Sequence, residues 1–121
     1  MKLEPDLIFE IMSFAEDIPA GEYRDVPDLG GRDWMLVACH ARHLHSAGFI
    51  EGVIVEDQDG RPACCRITDL SLKGHEFIAL SKEGDAWSIA KNHFKKKAIV
   101  TTIDLLFEYM QAYVRTKIHL Q

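Results

Sequence analysis

The stretch from Asp33 to Ile67 constrains this chain most. Asp33 is suited to cap a helix, and Val37, His40, Ala41, Leu44 and Ala47 then recur on one face at 100° per residue, with Met35, Cys39, Arg42 and Ser46 opposite. Gly48 follows at once, the residue that best accepts the left-handed position closing a helix. Phe49 to Glu56 is rich in β-branched residues, Asp57-Gln58-Asp59-Gly60 carries turn chemistry, and Arg61 to Ile67 reads as a returning strand. A helix over 33–47 that runs straight into a hairpin over 50–67 has the order of a reader helix and its wing. The expected fold is therefore α+β: a winged helix, rich in helix, with one β-hairpin.

The remaining segments supply helices around that unit. Pro5 suits a first helical turn, and Leu7, Ile8, Ile11, Met12, Phe14 and Ala15 follow at helical spacing, predicting a helix over about 5–16. The glycines and prolines between Ile18 and Gly31 predict a connection, with a short strand within Glu22–Val26 and no long second helix. Ser71 is placed to cap a helix holding Leu72, Phe77, Ile78 and Leu80. Gly84 separates it from another over Asp85–Lys97, and Thr101 with Asp104 resembles a capping box opening a last helix through Ile103, Leu106, Phe107, Met110 and Val114. This divides the chain into a winged-helix core over 1–80 and a C-terminal helical extension over 81–121, packed on the same domain or facing a partner.

Composition narrows the functional classes. At 121 residues and 47% apolar, one core forms without disulfide or metal staples. A net charge of −5 opposes the global attraction that non-specific nucleic-acid binders use, so DNA contact requires a local basic patch. Three cysteines, two of them the adjacent Cys64 and Cys65, point to a reducing compartment. The acidic N-terminus lacks the signature of a signal peptide, and no apolar run approaches the roughly 18 residues of a membrane span. The expected location is the cytoplasm of a bacterial or phage-infected cell, with no membrane partner.

Three sets of residues are candidates for function. Cys39 and His43, four apart on a helix, suggest zinc shared with a wing cysteine, but the two-residue cysteine spacing of zinc ribbons is absent, so neither metal nor cofactor is expected. His40 and His75 lack an accompanying nucleophile or carboxylate in a recognisable motif; each is expected to pack at the edge of the core and bond a backbone carbonyl. An enzyme is accordingly not expected. Arg32, Met35, Cys39, Arg42, His43 and Arg61 form the outward face that would meet DNA or a protein, Arg42 being able to read a guanine edge. Against DNA stand Glu56, Asp57 and Asp59 at the wing tip and the poor hydrogen-bonding capacity of Met35, Ala38 and Cys39. On the last helix, Leu105, Tyr109, Ala112 and Tyr113 widen the apolar arc beyond one core-facing stripe and mark an association surface for a protein partner or a second copy in a homodimer.

Several strings in order carry a family resemblance: Asp6-Leu7-Ile8, then His40 with Leu44 and Ala47-Gly48-Phe49-Ile50-Glu51-Gly52, then Leu70-Ser71-Leu72-Lys73-Gly74-His75-Glu76-Phe77, then Trp87 and Val100-Thr101-Thr102-Ile103. In this order the chain resembles the bacterial and phage family called domain of unknown function 2513, over nearly its whole length. The resemblance implies a winged-helix fold and occurrence in phages and prophages, and it implies no catalytic residue. The Asp28-Leu29-Gly30-Gly31 entry to the reader helix departs from that family's more polar, acidic entry. The expected function is that of a phage or prophage accessory protein acting by protein contact through the winged-helix scaffold. The alternative is a DNA-binding transcriptional regulator using the helix 33–47 and the wing 50–67.

Overall fold

Proline at the first helical position and a buried stripe of Leu7, Ile8, Ile11, Met12 and Ala15 make Pro5–Glu16 helix α1 in the computed structural model, which describes residues 1–26, 29, 31–97 and 102–119. The order continues with β1 (Arg24–Asp25), α2 (Trp34–Ser46), β2 (Ile50–Glu56), β3 (Pro62–Leu70), α3 (Leu72–Ser81), α4 (Ala86–Lys97) and α5 (Ile103–His119). The three strands form one antiparallel sheet in the order β1-β3-β2. This is the α+β architecture expected, with the β2–β3 hairpin following α2 directly and the C-terminal helices coming last. The strand expected within 22–26 is reduced to two residues.

Local chemistry sets most boundaries. Asp33 accepts the Leu36 N–H at 3.2 Å and Ser71 accepts that of Gly74 at 3.1 Å, each satisfying a donor that the first turn of a helix leaves free. At the start of α5 the cap is Thr102, whose hydroxyl accepts the Leu105 N–H at 3.1 Å. The capping pair expected of Thr101 and Asp104 is thus displaced by one residue, and Thr101 itself lies outside the described residues, as do Pro27, Asp28, Gly30 and Val100.

Strand alternation alone does not account for the buried positions of β3. Between the pairs Glu51–Asp69 and Gly52–Ile67 the register leaves Thr68 over, and between Val55–Cys64 and Glu56–Pro62 it leaves Ala63 over. Each extra residue resets the two-residue period, so Pro62, Cys65, Ile67 and Leu70 all point inward. At the first bulge the backbones come so close that a Cβ on Gly52 would lie 2.0 Å from the Arg66 carbonyl oxygen.

The wing tip closes as the turn residues predict. Asp57 accepts the backbone N–H groups of Asp59 and Arg61 on its carboxylate at 2.9 and 3.0 Å, and Gly60, at φ +79°, donates to the Asp57 carbonyl at 3.1 Å. Nothing lies within 4 Å of a Cβ added at Gly60, so substitution there carries backbone strain alone. Gly60→Val is expected to destabilise the protein by about 1–2 kcal/mol, the ordinary cost of a left-handed L-residue. Chemical denaturation measures it, and an unchanged midpoint with unchanged hairpin amide shifts would show that the turn has no such requirement.

A single buried cluster takes residues from α1, α2, β3, α3, α4 and α5. At its centre Phe49 meets Phe77 edge-on at 5.7 Å and Phe107 at 5.5 Å; Phe77 also meets Trp87 at 5.8 Å, and Trp87 stacks on Phe9 at 5.3 Å. Such pairs add roughly 0.5–1.5 kcal/mol each beyond the burial of area. They join the helices of 81–121 to the winged half through shared core. One position departs from the helical-face reading: Ala38, expected on the outer face of α2, is fully buried, while Leu72 at the start of α3 is 77% exposed.

Candidate functional site

The outward face of α2 and the wing meet where the sequence places them, but their arginines sit beside the chain's own carboxylates. The guanidinium of Arg42 donates to the Gly60 carbonyl at 2.6 Å and stands 3.5 Å from the Glu56 carboxylate, so it bridges the helix to the wing tip. Arg61 lies 3.9 Å from Asp59, and Arg32 is held by Glu10 of α1. The remaining arginines of the winged half behave alike: Arg24 lies 3.6 Å from Glu22, while Arg66 lies 3.5 Å from Asp25 with its guanidinium 4.0 Å from the centre of the Tyr23 ring. All five arginines before residue 81 therefore face a carboxylate of the same chain. Met35 and Cys39 are half-buried, and His43 is exposed. Among the described residues no helix stands between β1 and α2, where a helix-turn-helix reader would have its first helix.

His40 is fully buried, and both its ring nitrogens are used. Nδ1 donates to the Leu36 carbonyl at 2.9 Å and Nε2 accepts the Glu4 N–H at 2.9 Å, an arrangement that only the neutral imidazole satisfies. Burial lowers its pKa below the ordinary 6.5, outweighing the Leu36 bond and the Glu4 charge, which raise it. The expected carbonyl bond is present, but the junction it secures is between α2 and the start of α1, not between wing and helices. His75 departs further: it is exposed, 3.6 Å from the Asp69 carboxylate.

The cysteines do not converge. Cys65 is buried, its thiol pushed up to about 11 by burial first and then by the neighbouring Cys64 and Asp25 charges, whereas Cys64, on the opposite side of β3, is exposed. Among the described residues no group of three His, Cys, Asp or Glu side chains is placed to hold a metal ion, and no helix is long and apolar enough to cross a membrane.

On α5 the four predicted association residues separate. Tyr109, expected to face a partner, is half-buried, with part of its ring packed on α4, stacked on His93 at 4.4 Å and edge-on to Phe94 at 5.8 Å. Tyr113 is half-buried, Ala112 is exposed and Leu105 is 37% exposed. A different surface emerges between α3 and α5. Lys73 donates to Asp104 at 2.8 Å and to the Ala47 carbonyl at 3.3 Å, with its ammonium 4.5 Å from the centre of the Phe49 ring. It ties the end of α2 to the start of α5. Beyond it two adjoining clefts of about 310 and 390 Å³ share Glu76 and Gln111 as walls. Lys73 sits in one of the strings that carry the family resemblance, but its role depends on three segments distant in sequence, and no local signal announces it.

A family model described as Hypothetical protein (DUF2513) matches residues 2–100. The chain belongs to this family. The DUF2513 match takes in α1 to α4 and the whole sheet, and ends before α5, so the Thr101-Thr102-Ile103 part of the resemblance lies outside it. No curated protein and no solved structure matches the chain.

Proposed function

We propose that this DUF2513 member acts by protein contact through its winged-helix scaffold, as an accessory protein of the phage-associated kind that the family resemblance implies, and that it catalyses no reaction of its own. The observation that carries this reading is the engagement of all five arginines of the winged half by carboxylates of the same chain. A phosphate approaching Arg42 meets a guanidinium with one nitrogen already bonded to the Gly60 carbonyl and facing Glu56, and it arrives beside Asp57 and Asp59. DNA-binding winged helices depend on such side chains being available to the backbone. Here Arg42 instead braces helix against wing, which suits a rigid surface for another protein.

The alternative reading, a DNA-binding regulator, predicts a different titration. Fluorescence anisotropy with a labelled random duplex at physiological salt is expected to show no saturable binding in the micromolar range, for the wild type and for Arg42→Ala alike. Sub-micromolar binding that is lost in Arg42→Ala or Arg61→Ala would establish the regulator instead. Light scattering on the same sample reports whether the partner is a second copy.

A further inference from the structure

We infer that the far half of the α3–α5 groove seats a second copy of this chain, the two copies meeting about a two-fold axis so that Glu76 of each pairs with Arg115 of the other. This names the partner in the protein-contact reading and rests on it. The two helices run side by side in the same direction: Lys73 meets Asp104 near their first turns, and Leu80 and Val114 line the far end together. The far half is a cleft of about 390 Å³. Ala79 and Leu80 on α3 and Val114 on α5 give it an apolar strip, with Glu76 on one wall and Gln111 and Arg115 on the other. The near half, bordered by Lys73, Asp104 and Glu108, is polar, so the groove offers its apolar contact at the far half.

The charges choose the occupant. Glu76 and Arg115 are both exposed and border the same apolar strip, yet they form no ion pair with each other or with another side chain among the described residues. Arg115 differs in this from the five arginines before residue 81, each of which faces a carboxylate of its own chain. A partner bearing charge of one sign gains from one of the two groups and is repelled by the other. A surface that carries both signs beside an apolar strip is its own complement. A two-fold axis crossing the strip midway between them lays each Glu76 on the other copy's Arg115 and the strip against itself. Both pairs then form at once, from side chains that the fold leaves unused. Six residues line the cleft, against the roughly 20–30 a side of a standard interface, so the dimer is expected to be weak and reversible.

Sedimentation velocity on the full chain, from low micromolar to near-millimolar concentration, is expected to show a reversible monomer–dimer equilibrium. Glu76→Arg and Arg115→Glu, tested singly, are each expected to weaken it at least about tenfold, because like charges then face each other twice. Both positions are exposed, and circular dichroism verifies that each variant is folded. The mixture of the two variants decides. In a heterodimer of Glu76→Arg with Arg115→Glu, both contacts between positions 76 and 115 again join an arginine to a glutamate, so wild-type strength is expected to return. The double variant Glu76→Arg/Arg115→Glu is expected to dimerise with itself for the same reason. A wild type that stays monomeric throughout, a dimer indifferent to either reversal, or a mixture that associates no better than its components overturns the inference. Failure here leaves the protein-contact reading intact, because that reading stands or falls on the duplex titration and Arg42.

Discussion

Gly74→Ala is expected to destabilise this protein by on the order of 3 kcal/mol, enough to lower its melting temperature by about 10 °C or more. A methyl group is normally favourable in a helix, so the sign is informative. Gly74 lies in the first turn of α3, where that turn rests directly on the residue joining α2 to β2. A Cβ there would sit 2.1 Å from the Phe49 carbonyl oxygen and 2.9 Å from a Leu70 methyl. The carbonyl cannot turn away, since it also accepts the Ser71 N–H at 3.1 Å. Relief requires α3 to lift, and lifting it draws Phe77 from Phe49 at the centre of the core. Leu72→Ala, two residues earlier but 77% exposed, serves as the control and is expected to change stability by about 0.5 kcal/mol or less. A melting temperature for Gly74→Ala within a degree or two of wild type would mean that the close approach is not present in solution.

His40→Leu is expected to lose about 1–2 kcal/mol at neutral pH, because a leucine leaves the part-buried Glu4 N–H without its acceptor. The loss should also depend on pH in one direction. With its pKa lowered in the fold, the imidazole stays neutral there while the unfolded chain takes up a proton as the pH falls below about 6.5. The stabilisation is therefore complete above that value and declines as pH drops through the folded-state pKa. Urea denaturation at about pH 7.5 and pH 5.5 should show the gap between wild type and variant narrowing on acidification. A gap that is constant or widens would contradict a neutral, doubly bonded ring. α1 has no side-chain cap, and at its N-cap, Glu4, the backbone N–H is taken by the histidine of another helix.

What is local in this chain was legible in its sequence. Pro5, Asp33, Ser71 and Gly48 set helix boundaries through bonds and dihedrals that span a few residues, and Asp57 with Gly60 closes the wing by the same short-range chemistry. The succession of α2 and a hairpin then sufficed for the α+β fold. The bulges at Ala63 and Thr68 were not legible, because a two-residue period carries no mark of where a partner strand skips. Nor were the partners of the charged residues. Arg42 reads as an outward-facing cation in any helical projection, and only the return of the hairpin brings Glu56 and the Gly60 carbonyl to it. Tyr109 likewise belongs to a wide apolar arc until α4 is laid against α5 and His93 covers it. Lys73, Asp104, Glu76 and Glu108 become one groove because α3 and α5 pack in parallel on the same aromatic centre. Helical and strand periods specify which face turns inward; which charges meet across 14, 31 or more residues depends on how those faces pack, and that is decided by the tertiary structure alone.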